Sequence, residues 1–154
     1  MKEEDTHVYS KVTLLSEQKQ SLCYTPFKYK GPSMACIDLT TKDFNETLDN
    51  NEIVIIDFWA SWCGPCIQFA PIFEKVSEKY PDVVFAKVNT EEQRAISAQY
   101  SVQSIPTIMV VRDGIILLNQ AGSLPEEAFD KLIDHVKGLD MDKIREEIAQ
   151  EENE

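Results

Sequence analysis

A chain of 154 residues is long enough for one domain with a real core and too short for two of ordinary size. Its apolar fraction of 43 % fits a globular protein, and no stretch approaches the ~20 apolar residues of a membrane span. The formal net charge of −12 argues against nucleic acid and anionic membrane surfaces as partners.

Residues 1–33 carry five basic and four acidic groups, hold no sustained period of 3.6 or 2, and end in Pro26, Gly31 and Pro32. Too few apolar side chains recur on one face to repay ordering, so this part reads as a mostly disordered arm. Met1 to Gln20 is polar and lacks the apolar centre of a secretory signal, which makes cytoplasm the expected compartment.

From Ala35 the elements alternate. A short strand is predicted over Cys36–Leu39, then a helix capped by Thr40 or Thr41 with Phe44 and Leu48 on one face. Ile53 to Trp59 is apolar except for Asp57 and reads as a central strand covered on both faces. The next helix follows Cys63 and buries Phe69, Ile72, Phe73 and Val76, with a kink expected at Pro71. Val83–Val88 is the third strand. Thr90 and Gln93 have the spacing of a capping box for a helix running through Ala95, Ile96 and Tyr100. Thr107–Val111 and Ile115–Leu118 flank Asp113-Gly114, a strong hairpin signal. Glu126–Lys137 is a helix stopped by Gly138. Residues 139–154 hold seven acidic and two basic groups, and Met141, Ile144 and Ile148 fall on one face of a short helix there. Such a stripe more often packs on its own domain than recruits a partner.

The chemistry concentrates in Trp62-Cys63-Gly64-Pro65-Cys66. Two thiols stand two residues apart where a buried strand turns into a helix. A helix N-terminus has unpaired N–H groups and a partial positive charge, so it favours thiolate over thiol. A low-pKa thiol with a second thiol one turn away is the minimum equipment for disulfide exchange. Half of a zinc site or a structural disulfide is the bland alternative, but no second C-x-x-C accompanies the pair, so no metal is expected. Asp57 is the one charge in its strand. Burial would raise its pKa and suit it to accept a proton, whereas at a strand end it would merely face water; periodicity does not separate the two. Cys36 reads as a buried strand residue and Cys23 as a single thiol in the arm, while His7 and His135 have no evident partners.

Ile55-Ile56-Asp57-Phe58-Trp59-Ala60-Ser61-Trp62-Cys63-Gly64-Pro65-Cys66 resembles the active-site stretch of the thioredoxin family. Pro71, Ala86-Lys87-Val88-Asn89, Ile105-Pro106-Thr107, Arg112-Asp113-Gly114 and Gly122 match further family features in the expected order, so the resemblance covers about Ala35 to Lys137. It implies an α/β thioredoxin fold, a central mixed β-sheet flanked by helices on both faces, over residues 34–138. It implies protein-disulfide reduction, with Cys63 as the exposed nucleophile and Cys66 as the more buried resolving thiol. A buried Asp57 would take the Cys66 proton beside Lys87. Pro106 would be cis and face the pair, and Trp62, Gly64, Pro65, Ile105 and Gly122 would contact substrate. It also implies a monomer without bound cofactor, recharged from NADPH by a flavin thioredoxin reductase and acting on disulfide-containing clients.

Two departures from the family pattern stand out: Ile67 where lysine is common and Ser104 where glycine is common. With Ile67 in place of a cation, the groove around Cys63 is expected to be more apolar and less basic. An interaction module with vestigial cysteines, using arm and acidic tail to bind a partner, is the rival from another class. An oxidase or isomerase is a second rival, disfavoured because such relatives often carry histidine between the cysteines where Pro65 stands here.

Overall fold

The computed structural model describes residues 36–153; the arm, with Cys23 and His7, lies outside them. Ten elements follow in order: β1 (Ile37–Asp38), α1 (Phe44–Asn50), β2 (Ile53–Trp59), α2 (Gly64–Lys79), β3 (Val84–Asn89), α3 (Arg94–Gln99), β4 (Thr107–Arg112), β5 (Ile115–Ala121), α4 (Glu126–Gly138) and α5 (Met141–Glu152). The strands form one sheet in the order β1-β3-β2-β4-β5, with β1, β3 and β2 parallel, β4 antiparallel to β2, and β5 antiparallel to β4. This is the expected mixed α/β sheet.

The uniformly apolar β2 is central, and its alternation feeds two cores. Ile53 and Ile55 join Phe69, Phe73, Phe85, Val110, Phe129 and Ile133 on the face covered by α2 and α4. Val54, Ile56 and Phe58 join Leu48, Ala86, Val88, Ile96 and Met109 on the face covered by α1 and α3. Four phenylalanines, Phe69, Phe73, Phe85 and Phe129, interlock on the first face with ring centroids 5.3–6.1 Å apart. Edge and tilted geometries of this kind add to what burial alone contributes.

Met141 and Ile144 of α5 are buried in that same core and Ile148 packs on its margin. The acidic C-terminal helix is thus a layer of the fold. Asp140 caps it, its side chain accepting from the Asp142 and Lys143 N–H groups.

Several expectations need correcting. The first strand spans two residues, because only Ile37 and Asp38 find register with Ala86 and Lys87; Cys36 precedes it, half-buried, with its thiol 3.8 Å from Ser77 Oγ. Neither Thr40 nor Thr41 caps α1. The Thr40 carbonyl closes a turn onto Asp43 and Phe44, and the helix begins at Phe44. No capping box forms at α3, because Gln93 Oε1 is taken by the Thr41 N–H and hydroxyl, 3.0 and 2.9 Å away. Thr90 instead donates through its N–H and its hydroxyl to the Trp59 carbonyl. The α2 helix runs through Pro71 to Lys79, so the proline removes a hydrogen bond without ending the helix. Gly138 closes α4 as its last residue and not as a left-handed cap, and β5 extends past Leu118 to Ala121. The hairpin does form as expected, with Asp113 and Gly114 both at positive φ (52° and 77°).

Candidate functional site

The site lies at the carboxyl end of β2, where the chain leaves the sheet and enters α2. Cys63 and Cys66 are joined as a disulfide with their Cα atoms 5.2 Å apart, within the usual range for such a bond. Cys63 is the N-cap of α2: extended backbone there lets its Sγ accept the Cys66 N–H at 3.2 Å. The sulfur occupies the place of the side-chain oxygen in an ordinary cap, at the positive end of a 16-residue helix. Gly64 and Pro65 form the first turn, where the missing proline N–H leaves no helical bond unmade.

Cys63 is not the exposed thiol the sequence led us to expect. It is 4 % exposed and Cys66 2 %, so exposure does not distinguish them. The Ile105 carbonyl oxygen lies 3.7 Å from Cys63 Sγ. The helix position does distinguish them, since only Cys63 Sγ receives the N–H of the first turn.

Ile105-Pro106 is a cis peptide bond. The Pro106 carbonyl accepts the Gly122 N–H at 2.8 Å, and Gly122 sits at φ +105°, which only glycine adopts readily. Pro106 and Gly122, far apart in sequence, therefore meet Cys63 in one cluster. Trp62 stands beside it, 68 % exposed, its indole N–H donating to Glu91 Oε1 at 2.7 Å. Sequence reasoning missed Glu91; the two residues are 29 apart, and nothing local to either signals the bond.

Asp57 is completely buried (0 % exposed) in β2, and neither carboxylate oxygen has a hydrogen-bond partner. Its register partners are Lys87 on β3 and Ile108 on β4. Burial pushes its pKa up to about 7, against the pull of the Lys87 ammonium, so desolvation outweighs charge attraction. Lys87 is half-buried and holds its Nζ over the Trp59 ring, 5.1 Å from the centroid. The bland placement at a strand end is thereby excluded for Asp57. His135 is exposed in the last turn of α4.

Residues 35–135 match the family model described as thioredoxin. A Streptomyces coelicolor protein is 45 % identical over 116 residues, which cover 75 % of this chain and 87 % of that one. The thioredoxin of Chlorobaculum thiosulfatiphilum is 38 % identical over 99 residues, 63 % of this chain and 92 % of the relative. Among solved structures, the oxidised mitochondrial thioredoxin 3 of Saccharomyces cerevisiae superposes with a TM-score of 0.61 at 31 % identity, covering 66 % of this chain and 95 % of that one. A thioredoxin point mutant from Halobacterium salinarum gives 0.65 at 27 % identity, covering 71 % and 99 %. The domain-wide match, together with two cysteines bonded at a helix N-terminus, places this chain in the thioredoxin family as a thiol–disulfide oxidoreductase.

Proposed function

We propose that the protein reduces disulfides of client proteins in the cytoplasm, as a monomer, and is recharged from NADPH by a flavin thioredoxin reductase. The reading rests above all on the Cys66 N–H held 3.2 Å from Cys63 Sγ, the one feature that gives the two sulfurs unequal roles. The reduced Cys63 thiolate attacks one sulfur of the client disulfide, and the other client sulfur leaves as thiolate and takes a proton from solvent. Asp57 accepts the Cys66 proton as the Cys66 sulfur attacks Cys63 Sγ. That breaks the mixed disulfide, and the second client sulfur leaves as thiolate and is protonated in turn. The client has gained two electrons and two protons, and the protein carries the Cys63–Cys66 disulfide seen here. Lys87, held over Trp59, favours the ionised state of Asp57 while the proton is in transit.

Trp62, Gly64, Pro65, Ile105, Pro106 and Gly122 would receive the client segment, since they border the pair. The unpartnered carboxylate speaks against the interaction-module rival: a buried charge costs stability, and a vestigial site would have no use for it.

The test is insulin-disulfide reduction with NADPH and a thioredoxin reductase. Wild type should turn over. Cys63→Ser should fall to background, and Cys66→Ser should accumulate mixed disulfides visible on a non-reducing gel. Wild-type turnover by Cys66→Ser would reverse or abolish the assigned roles.

A further inference from the structure

Trp62 and Ile67 are the large apolar side chains most exposed among the described residues, 68 % and 60 %, and in the chain they stand directly before Cys63 and directly after Cys66. Apart from Glu91, which accepts from the Trp62 indole, the chain segments that border the site carry no charge. Phe58–Phe73, Ala95–Val111 and Ile115–Pro125 contain no Asp, Glu, Lys or Arg, in a chain of which 27 % is charged. Two contacts bring the near parts of these segments to the site: Cys63 Sγ lies 3.7 Å from the Ile105 carbonyl, and the Gly122 N–H donates to the Pro106 carbonyl; Val111 and Ile115 lie at the far end of the sheet.

Burial explains part of this neutrality, because core segments are uncharged anywhere. It does not explain the exposed positions. Pro65, Ile67, Gln68 and Pro71 face solvent in the first half of α2 and carry no charge, whereas the exposed positions of its second half are Glu74, Lys75, Glu78 and Lys79. The switch occurs within one helix, between the half beside the disulfide and the half away from it. The rim is different again, with Glu91 and Glu92 exposed beyond Trp62 and Glu91 tied to the Trp62 indole.

We infer that the site selects clients whose disulfide is flanked by apolar, uncharged residues, with Ile67 as a specificity-determining contact on the α2 side and Trp62 on the other. A carboxylate or ammonium docked against Ile67 would lose hydration and find no counter-charge, while an aliphatic side chain would bury apolar area on both partners. Docking over this face is short-range, so it is insensitive to salt even though the whole chain carries −12. The inference rests on the disulfide-reductase reading and narrows it to a substrate class.

The experiment compares three synthetic peptides, each with one intramolecular disulfide whose flanking positions are leucine, glutamate or lysine. Rates are followed by NADPH oxidation with excess thioredoxin reductase, at low and at moderate sodium chloride, for wild type, Ile67→Lys and Ile67→Leu. Wild type should favour the leucine peptide by about tenfold or more in kcat/KM, the range an apolar contact can discriminate, with little change on adding salt. Ile67→Leu should keep that ranking. Ile67→Lys should shift preference toward the glutamate peptide and make its rate fall with salt. Equal rates for all three peptides, or a preference for a charged one by wild type, would overturn the inference while leaving the reductase function intact. Failure to reduce any peptide would instead sink the function. Sedimentation that shows a dimer lost in Ile67→Lys would assign the face to a second copy of the chain and overturn the inference as well.

Discussion

At Asp57, two effects of opposite sign compete, and the outcome can be measured. Desolvation disfavours the charged carboxylate and the Lys87 ammonium favours it; desolvation prevails and the pKa rises to about 7. A folded-state pKa above the unfolded one means that native stability is lost as pH rises from the unfolded value through the folded one. The cost is therefore small near pH 4 and complete above pH ~7. Asp57→Asn removes the charge at nearly constant volume, so it should stabilise the oxidised protein by about 1–3 kcal/mol at pH 8 and by much less at pH 4.5. Urea unfolding at the two pH values measures this. Single-turnover reduction of a disulfide should slow in the same variant, since the Cys66 proton loses its acceptor. Destabilisation at both pH values with an unchanged rate would make Asp57 a structural residue only. Much of this was legible beforehand: a lone carboxylate in an apolar strand announces itself. Its burial was not, because a strand covered on both faces loses the alternation that tells inside from outside.

Among the elements, α5 shows how far a pattern reads and where it stops. The spacing of Met141, Ile144 and Ile148 exposed an apolar stripe, but what the stripe covers depends on how α4 ends. Arg112 governs that ending. Its Nη1 donates to the carbonyls of Val136, Lys137 and Leu139 at 2.6–3.1 Å, and its Nη2 to Glu52 Oε1 at 3.3 Å. One guanidinium thus satisfies the carbonyls that the last turn of a helix leaves open, 24 to 27 residues away in sequence. Arg145 of α5 reaches back to Asp113 of the hairpin turn at 3.0 Å. No local signal could have shown either bond, just as none showed Gln93 leaving its own helix for Thr41. Elements are written in neighbouring residues; the ties between them are not. Deleting residues 139–154 uncovers the core beneath Met141 and Ile144 and should cost about 3–6 kcal/mol, at ~1.5–3 kcal/mol per buried apolar side chain. Arg112→Ala leaves several carbonyls unpaired and should cost about 2 kcal/mol. Chemical denaturation should give that order, with disulfide reduction at 25 °C retained in both, because the cysteine pair lies at the opposite end of β2. A truncated protein as stable as the full chain would show that α5 rests on the core without supporting it.

Over the whole molecule, charge is divided between a neutral face around the disulfide and an acidic remainder, and the two electrostatic contributions of that remainder oppose each other. Ion pairs such as Lys79 with Glu126 and Asp130, both 2.7 Å, or Lys137 with Asp82 at 2.5 Å, attract. Each joins partly or largely exposed side chains, and pairs of that kind contribute about 0–1 kcal/mol because solvent screens them. Against them stand 27 acidic groups facing 15 basic ones, a net −12 whose mutual repulsion acts over the whole surface. Salt weakens both, and the balance sets the sign of its effect. Raising sodium chloride from about 0.01 M to 0.1 M shortens the screening length from about 30 Å to about 10 Å, which removes long-range repulsion first and leaves contacts at 3 Å nearly untouched. The melting temperature at pH 7.5 should therefore rise over this range, by about 2–5 °C if the relief is near 1 kcal/mol. At about pH 4.5, where carboxylates begin to take up protons, the rise should largely vanish. A melting temperature that falls with salt at pH 7.5 would mean that the ion pairs, and not the excess of acid, dominate the electrostatics of this fold.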